Sequence, residues 1–185
     1  MLLSPLVEGT ATIGAPHEAF FHAFVRRINE GLLLTVPPSR NRYVVSHAGP
    51  DALRFHADGW PTAFNVGLND VDVTAPSRGI VRYRIQYGRW TRSAVAMGAG
   101  FAMIFIGWLL LFDLRTYIAE HPGPEYLGLS PEQSVGLAWA MALFWGFVWP
   151  WVLVIGHKRP LRRLMESLIA DVDVAAGGAA PRPRD

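Results

Sequence analysis

Two long uncharged stretches limit what this chain can fold into. Residues 93–112 (SAVAMGAGFAMIFIGWLLLF) and 133–156 (QSVGLAWAMALFWGFVWPWVLVIG) hold no Asp, Glu, Lys, Arg or His. At about 1.5 Å per helical residue, each is long enough to cross a hydrocarbon core about 30 Å thick. An amphipathic helix of a soluble protein keeps a polar face, and neither run has one. The expectation is a two-helix transmembrane hairpin over residues 93–156, with residues 113–132 as its loop.

Charge sets the expected orientation, because basic residues collect on the cytoplasmic side of membrane spans. Arg78, Arg82, Arg84, Arg89 and Arg92 precede the first run; Lys158, Arg159, Arg162 and Arg163 follow the second. The loop has Arg115 against Asp113, Glu120, Glu125 and Glu132. Both termini are therefore expected in the cytoplasm, in a multi-pass protein of a bacterial inner (cytoplasmic) membrane. Arg supplies all but one of the 17 basic residues, a bias that suits a GC-rich bacterial genome. The opening residues lack a basic n-region and a long apolar h-region, so the first run is expected to act as its own insertion signal. A formal charge of +2 is too small to point to nucleic acid, and the absence of Cys removes disulfides and thiolate chemistry.

Residues 1–92 read as a small α+β domain, one helix on an antiparallel sheet. Residues 6–13 alternate as a first strand. Ala15-Pro16-His17-Glu18 then opens a helix, with Pro near its start where a missing N–H costs nothing. Phe20, Phe21, Phe24, Val25 and Ile28 give it one apolar face, and Gly31 is placed to cap it. After Val36-Pro37-Pro38 the period falls to two, and residues 43–47, 53–57, 63–68, 71–74 and 80–87 are strand candidates. Gly49-Pro50-Asp51, Asp58-Gly59-Trp60-Pro61 and Ala75-Pro76-Ser77-Arg78-Gly79 supply the turns. The segment GTATIGAPHEAFFHAF (residues 9–24) resembles the opening strand, Ala-Pro turn and first helix of START-like, polyketide-cyclase-type domains. The resemblance implies a sheet closed by a long C-terminal helix over an apolar cavity. Here the chain heads for the membrane instead, so a truncated domain is expected, and no catalytic residue carries over.

In the loop, His121-Pro122-Gly123-Pro124 is followed by Ser130-Pro131-Glu132-Gln133, a capping-box signature that starts the second membrane helix. Pro150 is expected to kink that helix by removing a hydrogen bond. An amphipathic cytoplasmic helix is expected over residues 157–174, its periodic segment starting at Pro160, with Leu161, Leu164, Met165, Leu168, Ile169 and Val172 on one stripe. This stripe is expected to dock on protein, either the chain's own domain or a partner. The tail, residues 175–185, is rich in Ala, Gly and Pro and reads as disordered.

Helices in lipid pair through small residues. Ala96, Gly100 and Gly107 on the first span, and Ala138, Ala142 and Gly146 on the second, are expected to form the hairpin seam. Trp108, Trp139, Trp145, Trp149 and Trp151 form the second constellation. Trp139, Trp149 and Trp151 suit an interfacial belt, whereas Trp145 could pack on a lipid tail, a pigment, a quinone or a neighbouring helix. Asp113 and His157 are read as interfacial anchors or helix-end charges.

No residue pattern in the chain points to catalysis or metal binding. His17, His22, His47, His56, His121 and His157 include no i, i+4 metal pair, and Asp70 and Asp72 lack a placeable cleft. No phosphate-loop or dinucleotide glycine pattern occurs. The spans offer no ionisable group for ion or proton transport and no imidazole for haem. The expectation is a non-catalytic accessory subunit of a larger membrane complex, respiratory or photosynthetic, contacting lipid or pigment without a cofactor ligand of its own. A membrane-tethered module for a lipid or other apolar ligand is the alternative.

Overall fold

The computed structural model describes residues 4–33, 41–120 and 128–178. The expectations that fall on Val36-Pro37-Pro38, on His121 through Pro124, on Glu125 and on tail residues 179–185 lie outside them. The chain divides into two compact units: Met1–Thr91 with Gly156–Asp185, and Arg92–Ile155.

The first unit is built on a five-stranded antiparallel sheet of order β1-β5-β4-β3-β2, with β1 at Leu6–Thr12, β2 at Tyr43–Ala48, β3 at Ala52–Ala57, β4 at Asp70–Ser77 and β5 at Ile80–Gln86. Strands β2 to β5 form a meander, and β1 closes the edge beside β5. Alternation decides the two faces. Val7, Leu53, Phe55, Val71, Val73, Val81, Tyr83 and Ile85 point inward and are buried. Outward, one cross-strand row reads Glu8, Arg84, Asp72, Arg54, His47. Arg84 Nε lies 3.4 Å from Glu8, and Arg54 pairs with Asp72. Exposed pairs of this kind add little stability but keep the outer face neutral and wet.

Helix α1 (His17–Gly31) covers the inner face with Phe20, Phe21, Phe24 and Ile28. Phe24 meets Phe55 with ring centroids 5.9 Å apart. Each such buried ring contributes about 2 kcal/mol by removal from water.

The second cover is the C-terminal half of α6, which runs without a break from Trp149 to Ala175. Leu161, Met165, Leu168, Ile169 and Val172 are buried and Leu164 is half-buried. Polar ties hold it: Arg162 Nη2 donates to Glu8 O at 2.8 Å, and the Tyr83 hydroxyl donates to Glu166 Oε1 at 3.2 Å. The carboxylate of Asp173 accepts the Gly14 N–H at 2.9 and 3.0 Å and the Ala15 N–H at 2.9 Å.

Three expectations are decided by this helix. The chain was expected to leave for the membrane without a closing helix, whereas a long C-terminal helix packs on the sheet after the hairpin. Of the docking places expected for the stripe, the chain's own sheet is the one used, which leaves it no free face for a partner. Pro160 does not begin a helix but sits inside one. Its lost hydrogen bond, a cost of about 3 kcal/mol in an isolated helix, is offset by the buried residues that follow.

Residues 63–68 are not a strand. Gly59–Val66 form a short helix, α2, and the supposed turn residues Gly59, Trp60 and Pro61 are its first turn. Strand β4 is also longer than expected and carries Pro76, next to an irregularity in its pairing with β5. Such edges and bulges are where a residue without an N–H fits a sheet.

The second unit consists mainly of α3 (Gly88–Leu111, entering from the first unit), α4 (Leu114–Glu120), α5 (Pro131–Leu143) and the start of α6. Among the described residues two helices are long and apolar enough to cross a membrane: α3, and the unbroken 45-residue helix Pro131–Ala175. Ser130 caps α5 reciprocally with Gln133: its Oγ accepts the Gln133 N–H at 3.2 Å, and Gln133 Oε1 accepts the Ser130 N–H at 2.8 Å. The loop contains a helix that was not expected. Asp113 opens α4 by accepting the Thr116 N–H at 3.1 Å and its hydroxyl at 2.7 Å, and these bonds hold its carboxyl below the usual range.

Candidate functional site: an apolar groove and an aromatic joint

The seam of the second unit is set by three small residues and a proline. A side chain on Gly98 would meet the Pro150 ring and, at 3.0 Å, the Gly146 carbonyl; one on Gly146 would run into Ala102. Ala94, Ala102 and Ala142 are buried with them. This corrects the seam expected on α3. A side chain on Gly100 or Gly107 would meet nothing within 4 Å, and Ala96 is exposed. Residues two apart on a helix lie about 200° apart, so Ala96 and Gly100 fall on the face opposite Ala94, Gly98 and Ala102. On the other helix Ala142 and Gly146 do lie in the seam.

Pro150 acts through the turn before it. It cannot donate the N–H that an α-helix would give to Gly146, and Phe144–Val148 widen into a π-helical turn in which Trp149 N–H bonds Phe144 O. π-turns inside α-helices mark local strain and often functional positions. The disruption expected as a kink takes this form.

Beside the seam lies a groove of about 550 Å³ with an apolar wall. Phe101, Phe105 and Trp108 line it from α3, and Met141, Trp145 and Trp149 from the opposite side. Trp145 and Trp149 pack edge to face, centroids 4.8 Å apart. Three of the five tryptophans singled out by sequence thus converge here, whereas Trp139 and Trp151 are not in its wall. Ala138 and Ala142 contribute to its floor. No lining side chain titrates, so the groove supplies dispersion and ring contacts, not proton transfer. An acyl chain, a flat ring or an apolar helix fits that chemistry.

A separate cluster lies in the first unit. His157 stacks on Trp90, with centroids 4.2 Å apart and planes 7° from parallel, and meets the edge of Tyr87. Its Nε2 lies 2.9 Å from Val66 O, and a carbonyl can only accept, so Nε2 carries the proton. Burial lowers the imidazole pKa, against the pull of that carbonyl. His157 is therefore not the interfacial charge expected of it. Gly67, at φ +85°, ends α2 where a side chain would come within 2.6 Å of the imidazole, so the position needs Gly twice over. Asn69, fully buried, accepts the Trp90 N–H at 2.9 Å and donates to Ala63 O at 2.8 Å. Arg89 donates to the carbonyls of Ala57 and Asn69, both at 3.0 Å. Gly67 and Asn69 do not stand out in the sequence, and Arg89 stands out only as one of the charges before the first run. The legible signal was Asp58 before an early Pro61 and a closing Gly67, which together punctuate a helix.

The remaining histidines are spread out. His17 Nε2 accepts the Gly79 N–H at 3.3 Å, so Nδ1 donates to Asp51 at 3.2 Å. His22 is exposed near Glu18, and His47 and His56 belong to β2 and β3. Among the described residues no three His, Asp or Glu side chains converge as metal ligands. The inner sheet face is closed by side chains. Phe20, Phe24, Phe55, Tyr83, Met165 and Ile169 are fully buried there. Burial, reinforced by Glu166, pushes Tyr83 up to about 12, which keeps its hydroxyl a donor.

Fold and groove together define a chain of two parts: an α+β sheet unit, and a helical hairpin with apolar helices long enough to cross a bilayer. Comparison with protein-family models, with curated proteins and with solved structures gave no match to this chain.

Proposed function

We propose that this chain is a non-catalytic accessory subunit of a bacterial inner membrane, whose hairpin inserts in the bilayer and packs against a larger membrane complex. The observation that carries the reading is the exposure of the hairpin's apolar side chains. Leu111 is 91 % exposed, and Met103 and Leu110 are each 71 % exposed. A continuous surface of that kind is stable against lipid or a partner helix and not against water. The first unit draws on residues from both sides of the hairpin, which favours an even number of crossings with both ends on one side. Arg89, Arg92, Lys158 and Arg159 at those ends favour the cytoplasmic side for them. The groove is the contact site: its aromatic wall would receive an apolar helix or a bound lipid of the host. A respiratory or photosynthetic assembly is the proposed host class, by analogy alone.

The groove also favours a second reading, a tethered module that holds an apolar ligand. That ligand would sit between the hairpin helices, since the START-like resemblance places a cavity where this sheet unit has packed side chains. Purification of the tagged chain from native membranes in mild detergent, with native sizing and mass spectrometry, separates the two. Co-migration with fixed partners at fixed stoichiometry is the expected result. A lone monomer or homodimer carrying stoichiometric lipid would overturn it in favour of the second reading.

A further inference from the structure

We propose that α2 lies in the headgroup layer of the same bilayer and anchors the sheet unit to it through Trp60 and Phe64. The inference rests on the membrane reading above and adds to it a lipid contact outside the hairpin.

Helix α2, GWPTAFNV, carries no charged residue. Trp60 is 63 % exposed, more than any other large apolar side chain described in its unit, and it stacks on Phe64 with centroids 5.1 Å apart and planes 14° from parallel. A paired aromatic surface of this kind is poorly matched to water. Trp in particular favours the layer between hydrocarbon and water, where its ring is sheltered and its N–H stays hydrogen-bonded.

Position points to the same layer. The C-terminal end of α2 is tied to both places where the chain leaves the sheet unit. Val66 O accepts from His157, two residues after Ile155, and Asn69 accepts from Trp90, two residues before Arg92. From Val66 back to Trp60 is about 9 Å of helix at 1.5 Å per residue. That length can lie along a membrane surface beginning at the crossing points.

Charge fits as well. Lys158 and the exposed Arg159 follow in sequence the His157 that bonds the end of α2, and Asp58, which precedes α2, is paired with Arg42 at 3.2 Å. A basic crossing point next to an aromatic helix whose flanking acid is paired matches the phosphates and glycerol layer of an anionic bilayer. The occupant of this face is therefore the lipid headgroup layer.

The chain contains no Cys, so single reporters need no background mutation. The full-length protein would be reconstituted into vesicles of mixed phosphatidylethanolamine and phosphatidylglycerol, with one nitroxide per variant. The variants are Trp60→Cys, Asn65→Cys (exposed on α2, with Trp60 retained), Met103→Cys in the hairpin, and His22→Cys on the exposed side of α1. Collision with oxygen against collision with a water-soluble nickel chelate reads immersion. The expected result is an oxygen-to-nickel ratio on α2 several-fold above position 22 and below position 103. Both α2 labels reading like position 22, with position 103 deeply immersed, would overturn the anchor and leave the hairpin standing. Labels on α2 shielded from both reagents would show that protein covers the face, which also overturns it. Position 103 reading like position 22 would remove the membrane reading itself.

Discussion

The sheet unit and the hairpin unit are made from the same apolar vocabulary and use it in opposite ways. In the sheet unit Met165 is fully buried; in the hairpin Met103 stands 71 % exposed. The sheet unit turns its charges outward in the row from Glu8 to His47 and closes its interior with rings. The hairpin's long runs have no charge to turn outward, and they approach each other most closely at Gly98, Ala102 and Gly146. The difference shows what drives each unit. Removal of apolar surface from water stabilises the sheet unit. On the membrane reading proposed above that drive is absent between the hairpin helices, and small residues with close steric fit would do the pairing.

The largest effect that would break this comparison is in the core. Met165→Ala leaves a cavity under the sheet and is expected to destabilise the sheet unit by about 3 kcal/mol. Met103→Ala should leave that stability within about 0.5 kcal/mol. Urea unfolding in micelles, followed by hydrogen exchange of β5 amides, reads both. Equal losses would mean that the two units do not bury their side chains differently. The next effect sharpens the seam. Gly146→Leu puts a side chain into Ala102 and is expected to cost about 2 kcal/mol of helix pairing, as overpacking does. Gly100→Leu meets nothing and should cost little. The distance between spin labels on α3 and α5 should widen in the first variant only; widening in both would return the seam to the Gly100 face.

The smallest effect is a pH dependence. The pKa of His157 in the folded protein is below its ordinary value of 6.5, so the fold binds fewer protons there than the unfolded chain does. Its stabilising contribution is complete above that ordinary value and is lost as pH falls through the depressed one. Protection of amides near Gly67 and Asn69 should therefore decline in acid. His157→Phe keeps a ring against Trp90 and should flatten the profile. An unchanged profile would assign the acid sensitivity to another group.

What could be read from the sequence follows from the physics of each element. Long uncharged runs and period-two strands are strong signals: β2, β3 and β5 match their expected bounds within one residue, and α3 ends one residue early but starts five residues before its uncharged run. Helix α2 was misread because eight residues span barely two turns, too few for a helical period to stand out from alternation in Ala63 through Leu68. The seam was misplaced because Ala and Gly recur on several faces of α3, and only the partner helix decides which face is used. Docking of α6 needed the tertiary structure: Asp173 and Gly14 are far apart in the chain, and no local pattern links them. The joint left no local pattern because Asn69 and Arg89 bond backbone N–H and carbonyl groups, which leave no mark on residue type.

The return of α6 to the sheet has a consequence for biogenesis. Strands β1 to β5 leave the ribosome before the hairpin, but residues 156–175, which cover their inner face, leave after it. Until both apolar helices have been synthesised, Phe55, Tyr83 and Ile85 lack half of their cover. Completion of the sheet unit is thereby made to wait for the hairpin. A nascent chain stalled before Gly156 would present an open apolar sheet to the chaperones and proteases that recognise one.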